Sequence, residues 1–453
     1  MSVADRFAEP TVAAPGPVAL PSIERSVLPN RMRVWSMAHT SLPVVALSLI
    51  VDSGTVDDPV DLPGLTAMTA DMLDEGAGGR DSIRLAEGLA DLGASMDLSA
   101  GPDAVASHLW TVRRHLPAAL GVLADIFTKP HLLDGDLTRV RELRLSRLQQ
   151  LRRSASSAAD RTFAAAVFGA HGYGHSGLGT SATVARISID DVRAHYARQY
   201  APALVTLIAV GDIAHADLVS MASEAFGAWS NPAASVASSV HTAPSLGAPR
   251  VLFVEREGAS QSELRVGHLS VPRLTPDYHA MVLLNAGLGG SFSGRLNQRL
   301  RQQLGYTYGA RSAFDMDRLS GSFSCDTSVQ GDKTADSVRE IHTLINAVRT
   351  THPLSGDELE MARGSLTRGY ARNFETPRQL GGALAQLAVY GLPDDVFDRF
   401  VPTMQAVAPE MINAAAERYL APDHLVTVVV GDPQWRDSLS ALGIPVETVT
   451  PEF

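Results

Sequence analysis

The chain has little of several features that define common protein classes. A single cysteine in 453 residues excludes an internal disulfide and a cysteine-rich zinc site. No apolar run approaches the ~20 residues of a transmembrane helix, so we expect no membrane span. Residues 1–22 lack the apolar core of a signal peptide. No G-x-S-x-G motif occurs and Cys325 has no evident histidine partner, which leaves a nucleophilic hydrolase unsupported.

Charge and composition indicate which kind of protein this is and which partners it does not bind. The net charge of -11 argues against a nucleic-acid partner, because binding phosphates requires a basic surface. Hydrophobic residues make up 45% and charged residues 19% of the chain, as in globular proteins. A chain of 453 residues is too long for one ordinary core and predicts two or more domains.

The sequence contains an internal repeat about half its length apart. Tyr200–Asp212 reads YAPALVTLIAVGD, and Tyr419–Asp432 reads YLAPDHLVTVVVGD. Each segment predicts a helix end, an Ala-Pro turn, a β-branched strand and a Gly-Asp stop. In both halves strands come first and long helical segments follow. We therefore predict an α+β protein of two homologous domains, each a mostly antiparallel sheet covered by helices.

The repeat sets the predicted domain boundaries. We expect a flexible leader at 1–22, one domain at 23–232, a linker at 233–249 and a second domain at 250–453. The small, polar, proline-containing linker would allow a hinge between the halves. The sequence does not decide the cellular compartment of the protein: we expect the cytoplasm if Met1 is native and the periplasm if a signal peptide has been removed.

The segment Leu288–Ala310, LGGSFSGRLNQRLRQQLGYTYGA, carries the clearest functional signal. It predicts a glycine-rich turn, an amphipathic helix over 292–303, a tight turn at Gly305 and a strand holding Tyr306 and Tyr308. Helix and strand would direct Arg301 and one of the phenols, which we expect to share a strand face, toward a common point. An arginine beside a tyrosine hydroxyl forms a pair of donors suited to a developing oxyanion or a peptide carbonyl.

The repeat, the VGD-ended strands and this segment resemble the insulinase/pitrilysin family of inverted zincins, which includes the mitochondrial processing peptidases. The resemblance runs from about Val27 to Val449. Asp52–Gly54 is similar to the family's opening strand, and His171–Gly174 (HGYG) is similar to its His-Pro-Tyr-Gly loop, with glycine in place of proline. The implied shape is a clamshell half.

The same resemblance implies that the metal site has been lost. Active family members carry H-x-x-E-H on the first long helix and a further glutamate ligand on a later helix. Here the first histidine position holds Ala67, the glutamate position Ala70 and the second histidine position Asp71, while Gln149 or a neighbour stands near the third-ligand position. Catalytic zinc needs three protein ligands, so we expect no metal or other cofactor in this chain.

The arginine–tyrosine motif, in contrast, is retained. In the family an arginine and a tyrosine seven residues apart reach toward the zinc site from a C-terminal half or a partner subunit, and Arg301 and Tyr308 have that spacing. The resemblance implies catalytic roles for both. From the residues themselves we expect Gly289, Gly290 and Tyr306 to bind substrate, because glycines allow close backbone approach, either to another strand or to an extended peptide, and either phenol could be the donor. The resemblance also implies a homologous zinc-binding partner in a heterodimer or higher assembly, with peptides as substrates and zinc held by the partner.

Other interpretations remain open on the sequence alone. Arg301 and Tyr308 would be an ordinary surface arginine and sheet aromatic in a chain that serves as an inert structural or assembly subunit. An autonomous peptidase with unrecognised ligands is a third alternative. The arginine-rich helix predicted over 137–154 is typical of a solvated face, or else forms a cavity wall. Peptide specificity, the physiological substrate and the oligomeric state without a partner do not follow from the sequence.

Overall fold

Two six-stranded sheets, one in each half, form the framework of the computed structural model, which describes residues 16–231 and 243–453. The first sheet has the strand order β1-β2-β8-β3-β7-β6, and a short β4-β5 hairpin lies outside it. The strands of this half are β1 (Ile23–Val27), β2 (Arg33–Ala38), β3 (Val44–Val51), β4 (Gly76–Ala77), β5 (Arg80–Asp81), β6 (Ser95–Ala100), β7 (Val105–Val112) and β8 (Val205–Gly211). Its helices are α1 (Leu65–Asp71), α2 (Ser82–Asp91), α3 (Leu116–Thr128), α4 (Asp134–Arg152), α5 (Ala155–Phe168), α6 (Ser181–Arg186), α7 (Ile189–Gln199) and α8 (His215–Phe226).

The second sheet repeats this arrangement, with the order β14-β9-β13-β10-β12-β11. Its strands are β9 (Arg250–Glu255), β10 (Gln261–Ser270), β11 (Thr307–Met316), β12 (Gly321–Gln330), β13 (Val426–Gly431) and β14 (Val446–Thr448). The helices of this half are α9 (Tyr278–Asn285), α10 (Thr334–Arg349), α11 (Gly356–Thr367), α12 (Pro377–Tyr390), α13 (Phe400–Ala406) and α14 (Pro409–Tyr419), together with two π-helical segments, Ala286–Gly290 and Asn297–Gln303.

The repeated VGD-ended segments become equivalent central strands. β8 pairs parallel with β2 and antiparallel with β3, and β13 pairs parallel with β9 and antiparallel with β10. Every residue of both strands is buried, because their β-branched side chains pack on both faces of the sheet. The prediction of two related α+β halves with mostly antiparallel sheets is confirmed.

Each half exchanges one helix with the other. Helix α5 of the first half packs its apolar face, including Ala159, Phe163 and Val167, on β9 and β13 of the second sheet. Reciprocally, α12 of the second half places Leu380 and Leu384 against β3 and β8 of the first sheet.

A buried arginine adds polar contacts to one of these seams. Arg265 on β10 is 5% exposed and donates hydrogen bonds to Asp160 Oδ1 and Ser156 Oγ on α5, both at 2.7 Å. A hinge motion at the predicted linker would expose the apolar faces of both exchanged helices, so the packing of α5 and α12 opposes it.

The predicted leader and linker lie partly outside the described residues. Residues 1–15 of the leader and 233–242 of the linker are not described, so both segments and their boundaries stay predictions. The described part of the leader contacts the second half of the chain: the Leu20 N–H donates a hydrogen bond to Asp398 Oδ1 at 3.0 Å. None of the described helices is both long enough and apolar enough to cross a membrane.

Candidate functional site

A buried carboxylate fixes the start of α1, the helix that carries three of the four predicted metal positions. Asp58 accepts hydrogen bonds from the N–H groups of Gly64 and Thr66, each at 2.7 Å, and its Oδ2 lies 3.1 Å from His175 Nε2. Gly64 has a φ of +98°, and a β carbon there would lie 2.9 Å from the Cα of Gly179. Glycine is therefore required at this position, and the hydrogen bonds from Asp58 fix the residue at which α1 begins.

The predicted metal positions on α1 do not form a ligand set. Ala67 is half-buried and Ala70 is 1% exposed, and neither methyl group can bind a metal. Asp71 is the one residue of the three with a donor oxygen, and its half-exposed side chain lines a cavity of about 330 Å³. Because catalytic zinc requires three protein ligands, the residues present do not fit the zinc of the inverted zincins.

An arginine occupies the position opposite Asp71. Arg144 on α4 has a side chain that is 3% exposed, and its Nη2 donates a short hydrogen bond to Asp71 Oδ2. Its Nη1 lies 3.4 Å from the carbonyl oxygen of Gly64. Gln149, predicted near the third-ligand position, is exposed and does not line the cavity. The structure thus places a guanidinium beside the surviving carboxylate.

The two neighbouring acidic residues, Asp74 and Glu75, are also affected by their surroundings in the protein. Glu75 forms an ion pair with Arg139 of α4, and burial is the main cause that raises the pKa of Asp74 above its ordinary value. Within residues 16–231 and 243–453, no group of three or more His, Cys, Asp or Glu side chains is placed to hold a metal ion.

Arg144 is the functional-site residue that sequence reasoning missed. The arginine-rich helix was expected to be a solvated face or a cavity wall, and Arg144 was not distinguished from its neighbours. The available signal was spacing, because Val140, Arg144 and Leu148 follow one another at intervals of four and all three are buried. An arginine inside an apolar stripe needs a partner, and Asp71 supplies it.

In the second half the glycine-rich turn packs on its own domain. A β carbon on Gly289 would lie 2.4 Å from Leu296 Cδ1 and 2.8 Å from the backbone nitrogen of Ser312 on β11. Gly289 is buried and Gly290 is exposed. Gly289 therefore allows close packing against β11, and Gly290 is the glycine of this pair that an external peptide can reach.

Arg301 lies at the end of the second π-helical segment. The helix predicted over 292–303 begins at Arg295 and widens into the π-helix Asn297–Gln303. The Arg301 guanidinium carbon lies 4.6 Å from the ring centroid of Phe292, whose side chain is 66% exposed. Beyond it, Gly305 has a φ of +67°, as the predicted tight turn requires.

The two tyrosines after this turn have different environments. Tyr306 is half-buried against the core of the second half, whereas Tyr308 is 90% exposed. The register between β11 and β12 shifts between Thr307 and Ala310, and Asn297 Oδ1 accepts the Ala310 N–H at 2.9 Å. Because Tyr306 precedes β11 and Tyr308 lies in this irregular stretch, the expectation that they share a strand face is wrong.

Arg301 and Tyr308 are donors without acceptors. Neither side chain makes a hydrogen bond or ion pair with another described residue. The cavity beside Asp71 is lined by residues of the first half alone, so the pair does not reach this chain's own degenerate metal position. The geometry suits hydrogen bonding to an acceptor that another molecule brings.

Comparison with known proteins identifies the family of this chain. A family model described as insulinase (peptidase family M16) matches residues 33–181, and one described as the M16 peptidase inactive domain matches residues 186–366. The chain belongs to the insulinase, or M16, peptidase family.

Solved M16-like structures share almost the whole fold. A peptidase M16 inactive domain from Pseudomonas fluorescens superposes with a TM-score of 0.85 at 24% identity, covering 91% of this chain and 98% of that one. A protease from Helicobacter pylori gives a TM-score of 0.86 at 15% identity, covering 91% of this chain and 100% of that one.

Curated M16 relatives are similarly distant in sequence. A protein of Mycobacterium tuberculosis named as an uncharacterized zinc protease is 23% identical over 407 residues, covering 89% of this chain and 92% of the relative. A probable mitochondrial-processing peptidase subunit beta of Schizosaccharomyces pombe is 22% identical over 283 residues, or 60% of each chain.

Proposed function

We propose that this chain is the metal-free subunit of a heterodimeric zinc metalloendopeptidase. In this assignment a homologous partner carries H-x-x-E-H and the zinc, and this chain contributes Arg301 and Tyr308 to the partner's cleft. The single observation that carries the proposal is the state of these two side chains: Arg301 is half-buried, Tyr308 is exposed, and neither has an acceptor among the described residues.

The proposed role of the pair is to bind peptide and stabilise charge on the carbonyl oxygen. An extended substrate would add to a sheet edge in the partner, with Gly290 near the pair. Zinc bound by the partner would supply the activated water that hydrolyses the peptide bond. Arg301 and Tyr308 would donate hydrogen bonds to the oxygen that becomes negative as the peptide bond is attacked. The cation–π contact with Phe292 would hold Arg301 in place.

The magnitude of such a role is testable. Removing one preorganised oxyanion donor costs roughly 10²–10³ in rate. We expect Arg301→Ala and Tyr308→Phe each to lower turnover of the reconstituted pair by about ten-fold or more. Tyr306→Phe is expected to lower it less, because that ring packs on the core. The measurement is peptide cleavage by this chain, the candidate partner and both together, after co-expression with an H-x-x-E-H homologue.

A matched control is available on the surface of α10. Arg339, whose side chain is 50% exposed, pairs with Asp336, and Arg339→Ala should leave turnover unchanged. Wild-type turnover in both Arg301→Ala and Tyr308→Phe would remove the proposed catalytic role, as would full activity of the partner without this chain.

The alternative function is an inert structural or assembly subunit, and one observation favours it. Arg144 pairs with Asp71, the one carboxylate at the predicted metal positions of α1, and no ligand set for a metal occurs among the described residues. If that alternative holds, the chain should enter a stable complex whose activity does not change in the Arg301→Ala, Tyr308→Phe double variant. Stoichiometric zinc together with activity in the isolated chain would instead favour an autonomous peptidase.

A further inference from the structure

A separate cavity of about 530 Å³ lies in the second half, away from both the Asp71 cavity and the Arg301–Tyr308 surface. It is an open cavity, lined by residues of α9, of the one-turn helix Tyr370–Phe374, of α12 and of the segment that leads into α13. Its volume is in the range that accommodates small-molecule ligands.

The walls of this cavity are unusually rich in aromatic rings. Tyr370 and Phe400 are stacked with centroids 4.3 Å apart, and Tyr370 makes an edge-to-face contact with Phe374 at 5.2 Å. Phe397 adds a ring 5.5 Å from Phe374, and His279 lies 5.7 Å from Phe400. Such surfaces accommodate a flat aromatic body by stacked or edge-on contact.

One cation in the lining has no counter-ion. The Arg273 guanidinium carbon lies 3.6 Å from the centroid of Tyr278, and Arg273 pairs with no carboxylate in the part of the chain that the structure describes. The pKa of His279 is lowered by burial, then by Arg273 and Arg399, which keeps that ring neutral near pH 7. Asp398, which precedes α13, lies outside the lining and accepts the Leu20 N–H. Arg273 is the one charged side chain among the described residues that line the cavity, so the charge of the lining is positive.

A glycine in the middle of α12 keeps the cavity open. A β carbon on Gly382 would meet nothing within 4 Å, so no close packing requires glycine there. Glycine in a helix interior is less favourable than alanine by roughly 0.5–1 kcal/mol. Because Gly382 lines the cavity, we expect a large side chain at this position to reduce the space available to a ligand.

From the rings, the unpaired cation and the open glycine we infer that this cavity binds a small carboxylate with a flat aromatic body. The rings would contact the aromatic body, and the Arg273 guanidinium, while still stacked on Tyr278, would donate hydrogen bonds to the carboxylate. The opposite face of α12 packs on the first sheet, so a ligand here would brace the helix that joins the halves.

Three probes with one ring system test the charge requirement. Isothermal titration calorimetry of the full chain would compare 2-naphthaleneacetate with its neutral amide and with 2-(2-naphthyl)ethylammonium. We expect the carboxylate to bind at least ten-fold more tightly than the amide and the ammonium compound to bind least. Equal binding of carboxylate and amide, or no binding of the carboxylate, would overturn the inference.

Two variants then locate the site. Arg273→Gln should remove most of the carboxylate's advantage over the amide, and Gly382→Leu should abolish binding of all three probes while the chain still unfolds cooperatively. Arg339→Gln, on an exposed arginine outside the cavity, is the control and should bind like wild type. Carboxylate binding that survives both Arg273→Gln and Gly382→Leu would place the probe elsewhere and refute the assignment.

Discussion

At the scale of single residues, Arg144 and Asp71 form an ion pair at one of the predicted metal positions. A side chain that is 3% exposed carries a positive charge, and the half-exposed Asp71 is its carboxylate partner. Removing one partner of such a pair leaves the other in an unfavourable state only if that other group is buried. The two members of this pair should therefore respond differently to substitution.

We predict that Asp71→Ala lowers the free energy of unfolding by about 1–3 kcal/mol, because it leaves the Arg144 guanidinium buried without its carboxylate. Arg144→Met should cost less, since it replaces the buried charge by an apolar chain of similar length and leaves Asp71 to water. Urea denaturation of both variants measures the difference. Asp336→Ala, in an exposed pair on α10, is the control and should change the stability by under about 0.5 kcal/mol. A larger loss in Arg144→Met than in Asp71→Ala would contradict this account.

At the scale of elements, the β11–β12 turn joins the halves through polar contacts. Arg318 Nη1 lies 2.5 Å from Asp52 Oδ1, and the Arg318 N–H donates to Asp103 Oδ2 at 2.8 Å. The Leu319 N–H donates to the Tyr173 hydroxyl oxygen at 3.2 Å. This turn of the second half is thereby fixed against three separate segments of the first.

An aspartate in the same turn makes the contact sensitive to pH. Burial raises the pKa of Asp317 to about 7, and the nearby carboxylates of Asp103 and Asp315 add to the shift. The folded chain therefore holds this proton at pH values where the unfolded chain has released it. This contribution to stability is present at low pH and is lost as the pH rises from about 4 to about 7.

We predict that Asp317→Asn flattens this part of the pH profile and makes the chain more stable than wild type at pH 8. The slope removed is at most about 1.4 kcal/mol per pH unit. Thermal or urea unfolding between pH 5 and pH 8 measures it. Asp437→Asn is the control, because that side chain is 96% exposed. Parallel profiles for Asp317→Asn and wild type would show that Asp317 is not the group responsible.

Sequence patterns predicted the positions of strands and helices better than they predicted the tertiary contacts of those elements. The VGD-ended strands and α4 lie within a few residues of their predicted bounds, because β-branched runs and helical periodicity are local signals. The π-helix Asn297–Gln303 was not foreseen, since its widening accompanies a tertiary hydrogen bond from Ala310 to Asn297. The exposure of Tyr308 and the burial of Tyr306 likewise depend on an irregular stretch of β11 that residue spacing does not reveal.

At the scale of the whole molecule, the exchanged helices make each half depend on the other. The first sheet needs α12 to cover Ile208 and Val210, and the second needs α5 to cover Val428. An apolar helix face is visible in a sequence, but periodicity does not say which sheet will cover it. For this reason the sequence predicts two related halves and does not reveal that each sheet is covered by a helix of the other half.

We predict that fragments 1–236 and 237–453, expressed separately, do not unfold cooperatively, and that co-expression restores a cooperative complex. Each fragment alone would expose the apolar face that the other fragment's helix covers. Circular dichroism and calorimetry of each fragment and of the pair test this. Cooperative unfolding of either fragment alone would show that its sheet does not require the exchanged helix.

The exchange of helices also has a consequence for biosynthesis. The ribosome synthesises the first sheet long before it synthesises α12. Ile50 and Ile208 therefore stay exposed in the nascent chain until α12 of the second half packs on them. At about 5–20 residues per second, translation from Gly211 to Tyr390 takes roughly 10–35 s. During that interval a strip of aliphatic side chains stays available to chaperones, and equally to neighbouring nascent chains on the same messenger RNA.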